Sequence, residues 1–191
     1  MSRLRRPIAL LALLLASGGL AACGNHHDEE ARVQRIENEA FYLSLGELKY
    51  QVQVSRQLNP DDTQDRSYLQ GVPEADRELA PDQVWFAVFV QVENEAGEAK
   101  TPSGDIEIID TQEDVFKPLG LEATNLFAYR STDPIPPGEI IPLKDTPAYD
   151  TPIQGSLLLF KLKLEALDNR PLELKIESPT PRQTGIIDLD V

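Results

Sequence analysis

The stretch QVWFAVFVQVE, residues 83–93, decides the fold class because it repeats with the two-residue period of a β-strand. One face of this strand carries five large apolar side chains: Val84, Phe86, Val88, Val90 and Val92. The opposite face is also apolar near the start of the strand, where Trp85, Ala87 and Phe89 lie. We therefore predict a central strand, covered on both sides where it begins, with Trp85 in the core.

Other stretches of the sequence have the same two-residue period and are predicted to be further strands. They are Glu47–Ser55, Asp105–Asp110, Val115–Leu119, Phe160–Glu165, Leu172–Glu177 and a last edge strand around Ile186, Ile187 and Leu189. A tight turn at 111–114 joins the second and third, and a hairpin turn at 168–171 is predicted between the fourth and fifth, with lysine–glutamate pairs across it. The pattern predicts an all-β fold: an antiparallel, immunoglobulin-like β-sandwich of seven to nine strands.

The 56–82 insertion is longer than a hairpin loop, and it has a helix signal of its own. Asn59-Pro60-Asp61-Asp62 supplies a capping residue, a first-turn proline and two acids, so we predict a short surface helix over about residues 60–70. Seven residues of the insertion form a candidate partner surface: Arg56, Arg66, Tyr68, Leu69, Val72, Arg77 and Leu79. The alternative is that its apolar members cover one face of a sheet.

The first 22 residues have the features of an export signal. Arg3, Arg5 and Arg6 precede an apolar stretch of 13 residues, Ile8–Leu20, which is shorter than the about 20 residues that a membrane-spanning helix needs. The sequence that follows, Leu20-Ala21-Ala22-Cys23-Gly24, resembles the lipobox of bacterial lipoprotein signals. In that family the cysteine sulfur receives a diacylglycerol, and cleavage makes the cysteine the new N-terminus.

Lipidation also accounts for Cys23 as the only cysteine of the chain, since a lone exported cysteine calls for an explanation. We expect a signal peptide over 1–22, a lipidated N-terminus and polar tether over 23–40, and a sandwich domain over 41–191. The mature protein is then held on the extracytoplasmic face of the cell membrane by its diacylglycerol, without a transmembrane helix. Loss of three arginines changes the net charge from −14 to −17, which disfavours nucleic acid as a partner.

The residue content argues against several kinds of catalytic and metal chemistry. His26 and His27 are the only histidines, so the domain beyond residue 40 has neither histidine nor cysteine for a catalytic triad or a zinc site. His26–Glu30 is interpreted as solvated tether rather than a metal site. Asp61, Asp62 and Asp65 lack the ligand alternation of a calcium-binding EF-hand loop. We predict no catalytic residue, metal or cofactor.

Three stretches are similar to the telokin-like, immunoglobulin-like domain of bacterial surface lipoproteins of unknown function. They are Pro81–Asn94, then Pro137-Gly138-Glu139 with Gly155–Phe160, and the closing strand Pro171–Ile176. The resemblance implies a fold and an extracytoplasmic address, and it brings no catalytic residues. The 56–82 insertion is longer than that pattern requires.

The functional expectation is a non-enzymatic binding or protein-interaction module of the cell envelope, with a protein partner. Two alternatives stay open. One is a calcium-dependent or carboxylate-based carbohydrate-active protein, since acids are plentiful. The other is a structural spacer in an envelope assembly.

Overall fold

The structure, a computed structural model, describes residues 32–179 and 182–189. It contains ten strands there: β1 Arg32–Ile36, β2 Leu43–Leu45, β3 Leu48–Leu58, β4 Gln83–Asn94, β5 Asp105–Ile109, β6 Val115–Phe116, β7 Ile140–Ile141, β8 Ser156–Lys163, β9 Leu172–Pro179 and β10 Arg182–Leu189. The helical elements are α1 Thr63–Tyr68 and two 3-10 turns, Glu74–Asp76 and Leu164–Leu167. No helix within these ranges has the length and apolarity to cross a membrane.

The strands form two sheets that pack face to face. The first sheet has the order β1-β10-β9-β5-β6, with β1 parallel to β10 and the other pairs antiparallel. In the second sheet β2, β3 and β4 follow one another, and β7 and β8 pair end to end along the other edge of β4. All pairs of the second sheet are antiparallel. The predicted all-β sandwich is confirmed.

Two apolar clusters lie on opposite faces of the second sheet. The inner core fills the space between the sheets and includes Phe86 and Val88 of β4 together with Leu174 of β9. The outer cluster includes Trp85 and Phe89 of β4 and is covered by loop residues. The prediction that β4 is central and covered on both sides is therefore confirmed, and Trp85, 5 % exposed, lies in the core.

A β-bulge in β3 changes which side chains face the inner core. Val52 pairs with Val90, but two residues later Val54 pairs with Phe89, so the register shifts between them. Val54 consequently packs with the outer cluster, although simple alternation predicts it on the inner face. Ser55 takes the inner face opposite Val88.

The helix is shorter than predicted and begins later. The side chain of Asp62 accepts hydrogen bonds from the backbone N–H groups of Gln64 and Asp65, so Asp62 is the N-cap of α1. The side chain of Asn59 instead accepts from the N–H of Asp61, forming a turn before the helix.

The predicted hairpin between the Phe160 and Leu172 stretches is wrong. β8 belongs to the second sheet and β9 to the first, so the chain crosses between the sheets at residues 164–171. Ala166 and Leu167 are buried at this crossing, which draws the connection across the end of the core. Because the strands lie in different sheets, the predicted lysine–glutamate pairs between them do not form, and Lys161 and Lys163 instead pair with Asp76 and Asp114.

The N-terminal side differs from expectation too. Part of the predicted polar tether, Arg32–Ile36, is β1 and pairs with β10, so β10 is an interior strand rather than the predicted edge. Arg35 fixes β1 through ion pairs of 2.7 Å to Glu173 and 2.6 Å to Asp188. The sheet thus begins before the predicted domain start at residue 41. Residues 23–31 of the tether lie outside the described residues.

Candidate functional site

The apolar residues of the predicted partner surface cover the second sheet. Tyr68 and Val72 are 1 % and 2 % exposed, and Leu69 and Leu79 are partly buried against the same outer cluster. The ring of Tyr68 contacts Phe89 and Phe127 edge to face, with centroids 4.9 Å apart in each case. Of the two interpretations of these residues, the described contacts support sheet cover, since buried rings leave little surface for a partner.

Arg56 holds the helix of the insertion against β3. Its guanidinium donates two hydrogen bonds to the carboxylate of Asp65, one of 3.0 Å from Nη1 to Oδ2 and one from Nη2 to Oδ1. The N–H of Asn59 donates to the same carboxylate at 2.8 Å. The bond from Arg56 lowers the pKa of Asp65 below its usual range despite burial. The role of Arg56 is therefore to pin the insertion.

The other two arginines of that prediction differ in their contacts. Nε of Arg77 donates to the carbonyl of Val72 at 3.0 Å and closes the covering segment. Arg66 is exposed on α1, and among the described residues its guanidinium donates to Thr63 Oγ1 alone, at 3.3 Å. The structure places six of the seven predicted residues in a layer over the second sheet, with Arg66 and Arg77 at its solvent side, whereas Arg56 belongs to β3 of that sheet.

A groove of about 1100 Å³ lies at one end of the sandwich. Five parts of the chain form its walls: the β2–β3 turn with Tyr50, residues 100–107, Lys117, Ser131 and the β9–β10 end. The polar and charged lining residues include Glu47, Tyr50, Lys100, Ser103, Asp105, Glu107, Lys117, Lys175, Glu177 and Arg182. We call it the end groove.

Ser103 joins the walls of the end groove. Its N–H donates to the Tyr50 hydroxyl at 2.8 Å, and its carbonyl accepts from the Tyr129 hydroxyl at 2.7 Å. Its own hydroxyl donates to the carbonyl of Glu177 at 2.5 Å, which ties the 100–105 loop to the first sheet. Burial raises the pKa of both tyrosines, so they are neutral at pH 7. The three hydrogen bonds of Ser103 therefore hold this wall of the end groove in place.

Two lysines of the end groove are neutralised by carboxylates. Lys175 Nζ lies 3.2 Å from Glu107 and 3.0 Å from Glu177. Lys100 Nζ lies 3.0 Å from Glu47 and is paired with a further glutamate, Glu98, at 2.8 Å. The hydrogen bond to Glu177 raises the pKa of Lys175. Each of these lysines lies against two carboxylates, so each group of three carries a net charge of −1.

Two other cations at the rim of the groove are different. Lys117 and Arg182 are exposed, and neither makes an ion pair with another residue of the described ranges. Lys117 follows edge strand β6 and Arg182 begins β10, so strands β5 and β9 lie between them in the first sheet. In a chain of net charge −14, two such cations at one concave surface are suited to receive acidic groups.

Within residues 32–179 and 182–189, no group of three or more His, Cys, Asp or Glu side chains is placed to hold a metal ion. Cys23, the predicted lipidation site, lies outside the described residues, and its modification stays a prediction. Sequence reasoning missed the end groove because its walls come from segments far apart in the chain.

No family model and no curated protein matches this chain. Among solved structures, it is similar to an uncharacterized β-sandwich protein from Clostridium difficile 630, with 10 % sequence identity and a TM-score of 0.48. The alignment covers 84 % of this chain and 97 % of the other.

Proposed function

We propose that the chain is a lipid-anchored extracytoplasmic lipoprotein, attached to the membrane by a diacylglycerol on Cys23. The support is in the sequence: a basic head, a short apolar stretch and the lipobox-like residues 20–24. The telokin-like, immunoglobulin-like family is the proposed relationship, because its lipoproteins share this address.

The anchor is tested with radiolabelled fatty acid in cells that express the full chain. We expect label on the wild-type protein and none on Cys23→Ser, which should also leave the membrane fraction. An unlabelled wild-type protein would refute the anchor.

The proposed activity of the anchored domain is binding of an envelope protein, without catalysis. The end groove is the proposed contact, and the observation that carries this choice is the exposed pair Lys117 and Arg182, which lacks ion-pair partners among the described residues. A partner with an acidic segment suits this rim, since charge complementarity speeds encounter and favours correct partners.

Photo-crosslinking in intact cells tests the contact. A photoreactive amino acid at Thr101, which is exposed and lines the groove, should give an adduct of one defined mass. The same amino acid at Leu126, 63 % exposed and outside the lining, is the control.

Charge reversal adds specificity to this experiment. The double variant Lys117→Glu/Arg182→Glu should lose the Thr101 adduct, whereas Lys144→Glu, an exposed lysine outside the groove, should retain it. Equal loss in both variants would point to general charge rather than the groove. An unchanged adduct in the double variant would reject the acidic partner.

A further inference from the structure

The described part of the chain opens with an unusual run of exposed apolar side chains. Val33 on β1 is 63 % exposed, and Phe41 and Tyr42, between β1 and β2, are 63 % and 56 % exposed. Three of the eight large exposed hydrophobic side chains among the described residues thus fall within 10 positions of one another. We call residues 37–42 the aromatic turn.

The aromatic turn is held firmly in this position. Asn38 Oδ1 accepts from the N–H of Ala40 at 2.9 Å, and the carbonyl of Ala40 accepts from Gln51 Nε2 at 2.7 Å. The carboxylate of Glu39, 7 % exposed, accepts hydrogen bonds from the N–H and the hydroxyl of Ser55 on β3. These contacts, of which the one between Glu39 and Ser55 is buried, hold the residues directly before Phe41 and Tyr42 in place.

The place of this turn in the chain suggests what covers it. Eight residues lie between Cys23 and Arg32, the start of β1, so nine steps along the chain keep the start of β1 at most about 32 Å from that cysteine. A lipid on Cys23 therefore keeps the start of β1 within that distance of the bilayer, and the aromatic turn follows after the five residues of β1. Tyrosine is suited to this boundary because it combines an apolar ring with a polar tip.

Basic residues do not account for membrane contact at the aromatic turn. The chain is strongly acidic, and the aromatic turn carries two glutamates and no lysine or arginine. Attraction to headgroups by basic residues is thus absent from the turn, and apolar contact is the remaining contribution.

We propose that the aromatic turn docks on the membrane interface, with Phe41 inserted among the headgroups and Tyr42 beside it. This inference rests on the proposed lipid anchor, and it sets which side of the sandwich meets the bilayer. Docking restricts the rotation of the anchored domain and presents the remaining surface to partners.

The test uses the full lipidated chain reconstituted in phosphatidylcholine vesicles with brominated acyl chains, which quench nearby tryptophan. Phe41→Trp places a reporter in the turn, and Leu126→Trp is the control because both native side chains are 63 % exposed. The native Trp85 is buried and supplies the same background in each variant. We expect the emission added by Phe41→Trp to shift to the blue and to be lost in brominated vesicles, while that of Leu126→Trp is unchanged.

Flotation separates the two possible failures. If the protein does not float with the vesicles, the anchor itself is refuted. If it floats and the two reporters are quenched to the same degree, the anchor stands and docking of the turn is overturned. A blue shift that grows with the density of protein on the vesicles, without loss of emission in brominated vesicles, would assign the turn to contact between two copies. That result would also overturn docking on lipid.

Discussion

Adjacent residues of β3 hold two separate segments on opposite sides of the second sheet. Ser55 faces the inner core and binds the buried carboxylate of Glu39, whereas Arg56 faces outward and binds the buried carboxylate of Asp65. The bulge between Val52 and Val54 determines which of these two residues faces the inner core. Each buried carboxylate accepts hydrogen bonds from the residue that it contacts, and these bonds offset the cost of removing its charge from water.

The Asp65 contact predicts how stability depends on pH. Because Arg56 lowers the pKa of Asp65 in the folded state, the unfolded chain binds more protons in acid, and the free energy of unfolding rises with pH. This stabilisation is present above the usual aspartate value of 3.8 and is lost as pH falls through the lower folded value.

Urea unfolding of wild type and Asp65→Asn at several pH values measures this effect. We expect Asp65→Asn to cost about 1–3 kcal/mol at pH 7, since it weakens the bonds of Arg56. The difference between the two proteins should shrink as pH falls below 3.8. A constant difference across this range would contradict the assigned role of the ionised carboxylate.

Gly155 supplies a second test at the residue scale. A Cβ atom at this position would lie 2.7 Å from Phe89 Cβ and 3.0 Å from the backbone carbonyl carbon of Phe89. We therefore expect Gly155→Ala to lower the free energy of unfolding by about 1–3 kcal/mol, because β4 or β8 must shift. Gly97→Ala, which meets nothing within 4 Å, is the control and should be close to neutral in the same urea titration.

At the scale of elements, the 59–82 segment acts as a cover for β3 and β4. The six-residue helix α1 is too short to be stable alone and depends on its packing. Asn125, which lies outside the segment, also binds it. Its Nδ2 donates to the carbonyl of Tyr68 at 2.9 Å and to that of Gln70 at 2.7 Å. The cover is thus part of the folded body.

Tyr68 provides the corresponding prediction. Tyr68→Ala removes a ring that is 1 % exposed and contacts two phenylalanines, so we expect a loss of about 3–5 kcal/mol in the free energy of unfolding. Tyr42→Ala, whose ring is 56 % exposed, should change it by about 0.5 kcal/mol or less. Deletion of residues 60–80 should unfold the domain by circular dichroism, and retention of full stability would show that the segment is dispensable.

At the scale of the whole molecule, β1 extends the first sheet before the chain enters the second. Ile36 packs against the inner core, and Arg35 connects β1 to β9 and β10. Glu39 then ties the following turn to β3 in the second sheet. The N-terminal segment thereby contacts both sheets.

Comparison of two fragments tests this assignment. A fragment of residues 31–191 retains β1 and Glu39, whereas one of residues 41–191 loses both. We expect a lower urea midpoint for the shorter fragment, because β10 loses its partner strand and Ser55 loses the Glu39 carboxylate. Equal midpoints would mean that β1 contributes nothing to stability.

The sequence by itself determined the fold class and the central strand. Alternation with period two identifies half-buried strands, and the apolar second face of 83–93 indicates cover on both sides. The tight turn at 111–114 was also predictable, and the structure confirms the pairing of Ile108 with Phe116 across it. These features depend on neighbours in the chain. The lipid attachment of Cys23 is likewise predicted from neighbouring residues, the lipobox-like sequence at 20–24.

Only the tertiary structure decided which strands pair and where the grooves lie. Alternation does not identify a partner strand, so β8 and β9 look like a hairpin although they lie in different sheets. One extra residue in β3 moved Val54 to the other face, and no local pattern indicates a bulge there. The end groove has the same origin, because Lys117 and Arg182 become neighbours of one surface only when the first sheet assembles. Strand pairing is a long-range choice, made by the packing of the whole chain.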